Sequence, residues 1–216
     1  AVTTVNTDIP MELACILGCA VVTGLGAALN TANVQPGESV AVIGCGGVGL
    51  NVIQGARLAG AGHIIAIDAN AAKLERARQL GATDTIDASS VDAIAAVRDI
   101  TGPGADHVFE VVGRPALVRQ AFEMAAPGRA AYLVGIQSDD AELSLPVTGF
   151  RRGKRMVGVF MGDTNPRTDI PRYADLWRSG QLDLSGMISH TLPLEDVNRG
   201  FDMMISGESA RTVIKF

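Results

Sequence analysis

The chain has 216 residues, a length that suits one complete α/β domain with an additional segment. Hydrophobic residues make up 47% of the chain and charged residues only 19%, so it can bury a large core. The net charge of −5 and the lack of a positive stripe argue against a nucleic-acid partner. Glycine and threonine interrupt the longest apolar run, 13–29, so we expect no membrane segment. Three irregularly spaced cysteines predict a reduced, cytoplasmic protein without a disulfide framework.

Strands and helices alternate along most of the chain. An apolar helix dotted with glycines is predicted over about 11–32, ahead of any strand. The first strand, Ser39–Ile43, runs into a glycine cluster, and a helix follows from about Gly47 to Ala59. The second strand begins at His63 and ends at Asp68. The remaining predicted strands are Thr83–Ile86, His107–Val112, Ala130–Val134 and about Arg155–Phe160. The helices between them begin at Asn70, at Ser89 or Ser90, and at Pro115.

These strands have nearly continuous apolar runs, which is typical of a sheet that is buried on both faces. Six such strands with right-handed helical crossovers predict an α/β, doubly wound Rossmann fold with a six-stranded parallel sheet. The tail beyond about residue 162 does not follow this alternation. It is predicted to hold helices near 170–179 and 194–206, followed by a strand at Thr212–Phe216.

The sequence Gly44-Cys45-Gly46-Gly47-Val48-Gly49 directly follows the first strand and opens a helix, as a dinucleotide-binding glycine loop requires. In such a loop Gly44 permits the tight turn, and Gly46 lets the backbone approach a pyrophosphate. Gly49 lets the helix pack closely on the strand. The phosphates would lie at the positive end of the helix dipole, facing free N–H groups.

Asp68 lies 19 residues after Gly49, at the end of the second strand. A carboxylate there can accept hydrogen bonds from both ribose hydroxyls and repels a 2′-phosphate, which predicts NAD rather than NADP. One alternative is that the glycines merely form a turn and Asp68 caps the next helix. A second is a methyltransferase, whose sheet usually ends in an antiparallel hairpin that is not evident here. The joint placement of loop and acid favours a dinucleotide.

From Asp8 to Phe216 the sequence resembles the zinc-dependent medium-chain alcohol dehydrogenases. The nearest similarity is to the branch of glutathione- or mycothiol-dependent formaldehyde dehydrogenases. The matching stretches are Leu17-Gly18-Cys19 with Thr23-Gly24, the loop Gly44–Gly49, Leu80-Gly81-Ala82, and Ser206-Gly207-Glu208-Ser209 with Arg211-Thr212.

In that family a cysteine and a histidine from an N-terminal domain hold the catalytic zinc together with a second cysteine, which matches Cys19. The resemblance therefore implies that Cys19 is a metal ligand and, with Thr23, a catalytic residue. It implies hydride transfer between a small alcohol or aldehyde and the nicotinamide. Ala20 stands where the family usually has glycine, which leaves the ligand itself in place.

The resemblance also assigns cofactor contacts. Val48 matches a residue near the nicotinamide, Lys73 a lysine on the adenosine ribose, and Arg211 an arginine that pairs with the pyrophosphate. Arg114 and Val134 match further cofactor contacts. The full expected cofactor site is Gly44, Gly46, Gly47, Val48, Gly49, Asp68, Lys73, Arg114, Val134 and Arg211.

By the same resemblance, residues 21–160 form the NAD-binding domain, whereas 1–20 and 161–216 are flanking segments of a catalytic domain. We expect the main part of that domain, with the other zinc ligands, to be absent from this chain. Zinc is therefore expected in the complete enzyme but not in this chain alone. The other residues that could bind a soft metal lack ligand spacing; they are Cys15, Cys45, His63, His107 and His190.

Three functions are compatible with these features. The first is an NAD-dependent, zinc-dependent alcohol dehydrogenase, of which this chain is the cofactor-binding half. The second is an NAD-binding module without catalysis. The third is a zinc-free quinone or enoyl reductase of the same superfamily, usually NADPH-dependent, against which Asp68 and Cys19 argue.

The predicted sixth strand bears on assembly. It lies at a sheet edge in this fold, is apolar, and lacks proline or an interior charge, so it invites pairing with a second copy. We expect a homodimer, or a higher homo-oligomer, joined antiparallel through residues 155–162, as the resemblance also implies. The alternative is that the tail after Gly162 folds back and covers the strand.

Overall fold

Six parallel strands form one sheet in the computed structural model, which describes residues 3–5, 8–206, 209 and 211–216. The strands are β1 (Ser39–Ile43), β2 (His63–Asp68), β3 (Asp84–Asp87), β4 (Ala105–Glu110), β5 (Ala125–Leu133) and β6 (Arg155–Gly158). The helices that accompany them are α1 (Met11–Thr31), α2 (Gly47–Leu58), α3 (Ala71–Gln79), α4 (Ala93–Thr101), α5 (Pro115–Met124) and α6 (Val147–Arg151).

The strand order is β3-β2-β1-β4-β5-β6, which confirms the predicted doubly wound fold. All five residues of β1 are buried, because the strand has a neighbour on each side and helices on both faces. Val40 pairs with Ile64 of β2 on one side and His107 of β4 on the other. The order of strands reverses at β1 and β4, so their carboxyl ends border the crevice where this fold binds ligands.

Residues of each strand alternate between two hydrophobic layers. Val40 and Val42 face the layer that contains residues of α1, α2 and α3, whereas Ala41 and Ile43 face that of α4 and α5. Both faces of the sheet are thus covered, which explains why the strand sequences are apolar without interruption.

Helix α1 corrects the expectation that no segment is long enough to span a membrane. Its 21 residues are long and apolar enough by length and composition, but most of the helix is buried within the protein. Gly24 and Gly55 allow α1 and α2 to cross closely: a Cβ at Gly24 would lie 2.5 Å from the Val48 carbonyl oxygen. At Gly55 it would lie 2.9 Å from the Cβ of Ala28. These contacts are those of a core helix.

Several predicted element ends were wrong by a few residues. Helix α4 begins after Asp92, whose side chain accepts hydrogen bonds from the Ile94 and Ala95 N–H groups. Ser89 and Ser90 do not cap it, because their hydroxyls bond back to Asp87. Strands β3, β4, β5 and β6 likewise differ at one or both ends from the predicted ranges.

The tail forms a small unit beside the main sheet. Helix α7 (Pro166–Arg178) begins earlier than predicted, because Asn165 caps it and Pro166 occupies its first turn. Strand β7 (His190–Pro193), which was not predicted, pairs in parallel with β8 (Thr212–Lys215). Between them lies helix α8 (Val197–Ile205).

Candidate functional site

The glycine loop between β1 and α2 is a tight turn. Gly44 has a φ of +102°, and a Cβ there would lie 2.6 Å from a methyl group of Val112. A Cβ at Gly49 would overlap the carbonyl oxygen of Gly44. The two glycines are therefore required by contacts within the protein itself, as the sequence predicted.

The amino end of α2 lacks a side-chain cap. Gly46 is the N-cap residue, in an extended conformation, and no side chain of the described residues accepts a hydrogen bond from the first turn. A Cβ at Gly46 would meet no protein atom within 4 Å, so the space beside it is open. An uncapped helix terminus with open space in front of it can bind an anion through its N–H groups.

Asp68 joins the end of β2 to the glycine loop. One carboxylate oxygen accepts a 2.8 Å hydrogen bond from the Cys45 N–H, and the other accepts a 3.0 Å bond from the Asn70 N–H. Asn70, not Asp68, caps α3, because its side-chain oxygen accepts hydrogen bonds from Ala72 and Lys73. The alternative that Asp68 is only a helix cap is therefore wrong. Each carboxylate oxygen retains a lone pair for a ligand hydroxyl.

Lys73 lies close to the thiol of Cys45, the residue whose N–H donates to Asp68. It lines a cavity of about 230 Å³ together with Cys45, Asn70, Arg76 and His190. Burial and the Asp68 charge raise the pKa of the Cys45 thiol to about 12, with Lys73 opposing them. Cys45 is therefore a neutral thiol near pH 7, and it serves the loop through its backbone N–H.

Arg211 lies against the glycine loop from the tail. A Cβ on Gly47 would lie 2.9 Å from the central carbon of the Arg211 guanidinium, so the guanidinium packs directly on the backbone of Gly47. The Arg211 carbonyl accepts a 2.8 Å hydrogen bond from the Ser189 N–H, which fixes the backbone at this point. The structure thus places the predicted pyrophosphate-binding arginine beside the predicted pyrophosphate-binding loop.

Cys19 faces a second cavity of about 310 Å³ that Cys15 and Arg211 also line. Cys15 and Cys19 are both exposed and lie one turn apart on α1. Although Cys15 is exposed as a residue, partial burial of its thiol is the main cause that raises its pKa, and the charge of Glu12 adds to the shift. No group of three possible metal ligands exists among residues 3–5, 8–206, 209 and 211–216. The described residues therefore do not complete a zinc site, for which three protein ligands are the minimum.

Thr23 and Val48 lie at the crossing of α1 and α2. Thr23 is half-buried, and its neighbour Gly24 packs directly against the Val48 carbonyl in the first turn of α2. Thr23 is also one turn along α1 from Cys19. The predicted catalytic pair and the glycine loop therefore share one end of the molecule.

Glu110 is a candidate site residue that the sequence did not predict. It ends β4 beside β1, and it is fully buried. One carboxylate oxygen accepts hydrogen bonds from Val112 N–H at 3.0 Å and Gly113 N–H at 2.8 Å. Its backbone carbonyl accepts from Val134 N–H at 2.9 Å and Gly135 N–H at 3.0 Å.

Glu110 therefore holds two loops together, one after β4 and one after β5. The loops touch at their glycines, since a Cβ on Gly135 would lie 2.7 Å from the Gly113 Cα. These loops carry Arg114, which is exposed at the start of α5, and Val134. Burial raises the pKa of Glu110, and the loop N–H groups oppose that shift. The available sequence signal was a glutamate closing an apolar strand before Val-Val-Gly.

Comparison with known proteins agrees with this geometry. The sequence model of the family described as zinc-binding dehydrogenase matches residues 47–179. The S-(hydroxymethyl)glutathione dehydrogenase of Synechocystis sp. is 41% identical over 215 residues, which cover 98% of this chain and 58% of that protein. The protein of the same name from Haemophilus influenzae is 40% identical, with coverage of 98% and 57%. The chain thus spans less than two thirds of the length of these relatives.

Solved structures of similar fold include benzyl alcohol dehydrogenase from Acinetobacter calcoaceticus, with a TM-score of 0.96 and 30% identity. The match covers 99% of this chain and 59% of that one. An alcohol dehydrogenase zinc-binding domain protein from Burkholderia ambifaria matches with a TM-score of 0.95 and 32% identity, over 99% and 58%.

Fold, glycine loop and acid together define a Rossmann-type dinucleotide-binding domain. The chain belongs to the zinc-binding dehydrogenase family. This confirms the predicted resemblance.

Proposed function

We propose that this chain is the cofactor-binding part of an NAD-dependent alcohol dehydrogenase. The observation that supports the proposal is the Asp68–Cys45 hydrogen bond, because it ties the acid that we assign to the ribose to the loop before the uncapped amino end of α2. Pyrophosphate would bind to the first-turn N–H groups and to Arg211, and the adenosine ribose to Asp68 and Lys73. The negative charge of Asp68 disfavours the 2′-phosphate of NADP.

The chain's own residues orient the cofactor for hydride transfer with an alcohol or aldehyde substrate. The nicotinamide half would extend over the carboxyl ends of β4 and β5, where Glu110 fixes the loops that carry Arg114 and Val134. Thr23 and Val48 would pack near the nicotinamide ring. In a complete enzyme Cys19 would be one ligand of a zinc ion, which polarises the alcohol oxygen when bound.

We infer that the described residues, by themselves, neither hold zinc stoichiometrically nor oxidise alcohols, because Cys19 lacks two partner ligands among them. Metal analysis of protein purified without added zinc tests this inference about zinc, and one tightly bound zinc per chain would contradict it.

The relatives named S-(hydroxymethyl)glutathione dehydrogenase make a hydroxymethyl-thiol adduct the first substrate to assay in the complete enzyme.

A binding module without catalysis is the second candidate function, and the incomplete ligand set among the described residues favours it for the isolated chain. It predicts cofactor binding without turnover even when the rest of the protein is supplied.

In the first proposal, the cofactor-binding part of an alcohol dehydrogenase, residues 21–160 are the NAD-binding domain, and 1–20 and 161–216 belong to a catalytic domain. We also propose a cytoplasmic location, in keeping with three free thiols.

We further propose a homodimer formed through the exposed edge of β6. That strand is the last in the sheet, and within the described chain no other strand pairs with its outer edge. After β6 the chain turns toward α1, where the Thr164 hydroxyl donates a 3.0 Å hydrogen bond to the Val22 carbonyl. The tail thus packs on α1. The β6 strand of a second copy of the chain, running antiparallel, would pair with the open backbone N–H and C=O groups of this edge.

Titration of NADH fluorescence tests the proposed cofactor function. The Arg211→Ala variant should bind NADH about tenfold more weakly, because it removes a cation from the pyrophosphate position. Arg167→Ala is the matched control, since Arg167 is an exposed arginine of α7 and lines none of the cavities formed by Arg211, Cys19 or Lys73. Equal affinity of the two variants would contradict the placement of the pyrophosphate.

A further inference from the structure

A group of cations lies at the end of the sheet opposite the glycine loop. The run 151–155 contains four cationic residues, in a chain whose net charge is −5, and it leads into the amino end of β6. Arg98 of α4 adds a fifth cation to this group. None of the five forms an ion pair with a carboxylate in the part of the chain that the structure describes.

Two of these cations converge on one atom. The Lys154 ammonium donates hydrogen bonds to the Phe122 carbonyl at 3.0 Å and to the Glu123 carbonyl at 2.9 Å. The Arg98 guanidinium donates to the same Glu123 carbonyl at 3.1 Å. These carbonyls close the last turn of α5, which is the negative end of its dipole. The contacts hold both cations in place and leave each with unused N–H donors.

A third cation faces the same space. Arg98, Arg152 and Lys154 line a cavity of about 190 Å³, and Thr148 lines it as well. Among the described residues Glu123 is the one carboxylate that lines the cavity, and it already accepts a 2.9 Å hydrogen bond from Arg119. Burial, followed by the charge of Arg98, lowers the pKa of Lys154; the charge of Glu123 opposes that shift and the charge of Arg152 adds to it. Positive charge in the cavity is therefore incompletely balanced by the described residues.

We propose that this basic cavity binds a phosphoryl group of a small-molecule ligand, as a second anion site separate from the glycine loop. Two guanidinium groups and one ammonium supply the charge-assisted donors that a tetrahedral oxyanion accepts. The cavity lies between α4, α5 and α6, on the sheet face opposite α2. A ligand there would not contact the dinucleotide site.

Phosphate titration of the full chain, with chloride at matched ionic strength as the reference, tests the proposal. Arg152→Gln is the main variant, because the Arg152 side chain makes no hydrogen bond among those the structure shows. The substitution removes one cationic guanidinium group from the cavity. We expect phosphate to bind roughly three- to fivefold more weakly to it than to the wild type. Arg167→Gln, on the other sheet face, should bind phosphate as the wild type does.

A second measurement works even if Arg152→Gln does not fold. In the wild type, the NMR-detected pKa of Lys154 should rise when inorganic phosphate is added, because a bound anion stabilises the ammonium. Two results would overturn the proposal: phosphate affinity unchanged in Arg152→Gln, or a Lys154 pKa that phosphate does not alter. The first of these would assign phosphate binding to the glycine loop.

Discussion

Asp68 and Cys45 are joined by a hydrogen bond of 2.8 Å between a carboxylate oxygen and a backbone N–H. The bond ties the carboxyl end of β2 to the second residue of the glycine loop. Asp68 therefore fixes the loop, and we expect its carboxylate to have a second role in binding the adenosine ribose. A substitution at this position should reveal both.

Asp68→Ala should weaken NADH binding about tenfold, because it removes the ribose hydrogen bonds and releases the loop. The preference for NADH over NADPH should narrow, since the repulsion of the 2′-phosphate disappears. Asp68→Asn is the matched control: its amide oxygen can still accept from the Cys45 N–H, while the charge and the second acceptor, used by the Asn70 N–H, are lost. An unchanged preference in both variants would contradict the assignment of Asp68.

Glu110→Ala should weaken binding of NADH several-fold and leave binding of ADP-ribose unchanged. The reason is that Glu110 holds the loops after β4 and β5, over which the nicotinamide half would lie. Parallel calorimetric titrations with the two ligands measure the difference. Glu110→Gln, which retains the acceptor for Val112 and Gly113, should restore much of the NADH affinity. Equal losses for both ligands would indicate a merely structural role.

Glu38 should make the folded protein sensitive to acid. Burial alone raises its pKa, but hydrogen bonds from the Gln35 N–H, His107 and Arg129 outweigh burial, so the pKa lies below its ordinary value. Its oxygens lie 2.7 Å from His107 Nε2 and 2.8 Å from an Arg129 nitrogen.

A lowered pKa stabilises the fold above the ordinary glutamate pKa, and that stability is lost as the pH falls through the folded-state pKa. Glu38→Gln should therefore lose about 1 kcal/mol of unfolding free energy at pH 7 and less at acidic pH. Urea unfolding at several pH values measures this. The exposed Glu195→Gln is the control, and an equal cost of Glu38→Gln at all pH values would refute the expectation.

Substitution of Phe160 tests the proposed dimer more specifically than substitution of Val159. Val159 packs against the chain's own core, so its replacement would disturb the monomer as well, whereas Phe160 is 82% exposed just after β6. Phe160→Lys should shift the protein toward monomer in sedimentation, because it places like charges near the two-fold axis. Val91→Lys, in an exposed loop, should not. A wild type that is already monomeric at micromolar concentration would end the proposal.

The sequence predicted β1 with its exact ends and the glycine loop with its acid, because apolar strands that run into glycine have few alternative structures. It did not predict β7, since His190–Pro193 is short, largely exposed, and paired with a strand far along the chain. Glu110 was missed for a related reason. Its role depends on backbone N–H groups of two loops, and a residue pattern does not display where those groups point.

Calorimetric titration of the wild-type chain with NADH and with NADPH under identical conditions tests the proposed cofactor preference most directly. We expect one site per chain and tighter binding of NADH, because Asp68 would accept from the ribose hydroxyls and repel a 2′-phosphate. Tighter binding of NADPH, or no binding of either dinucleotide, would contradict this expectation.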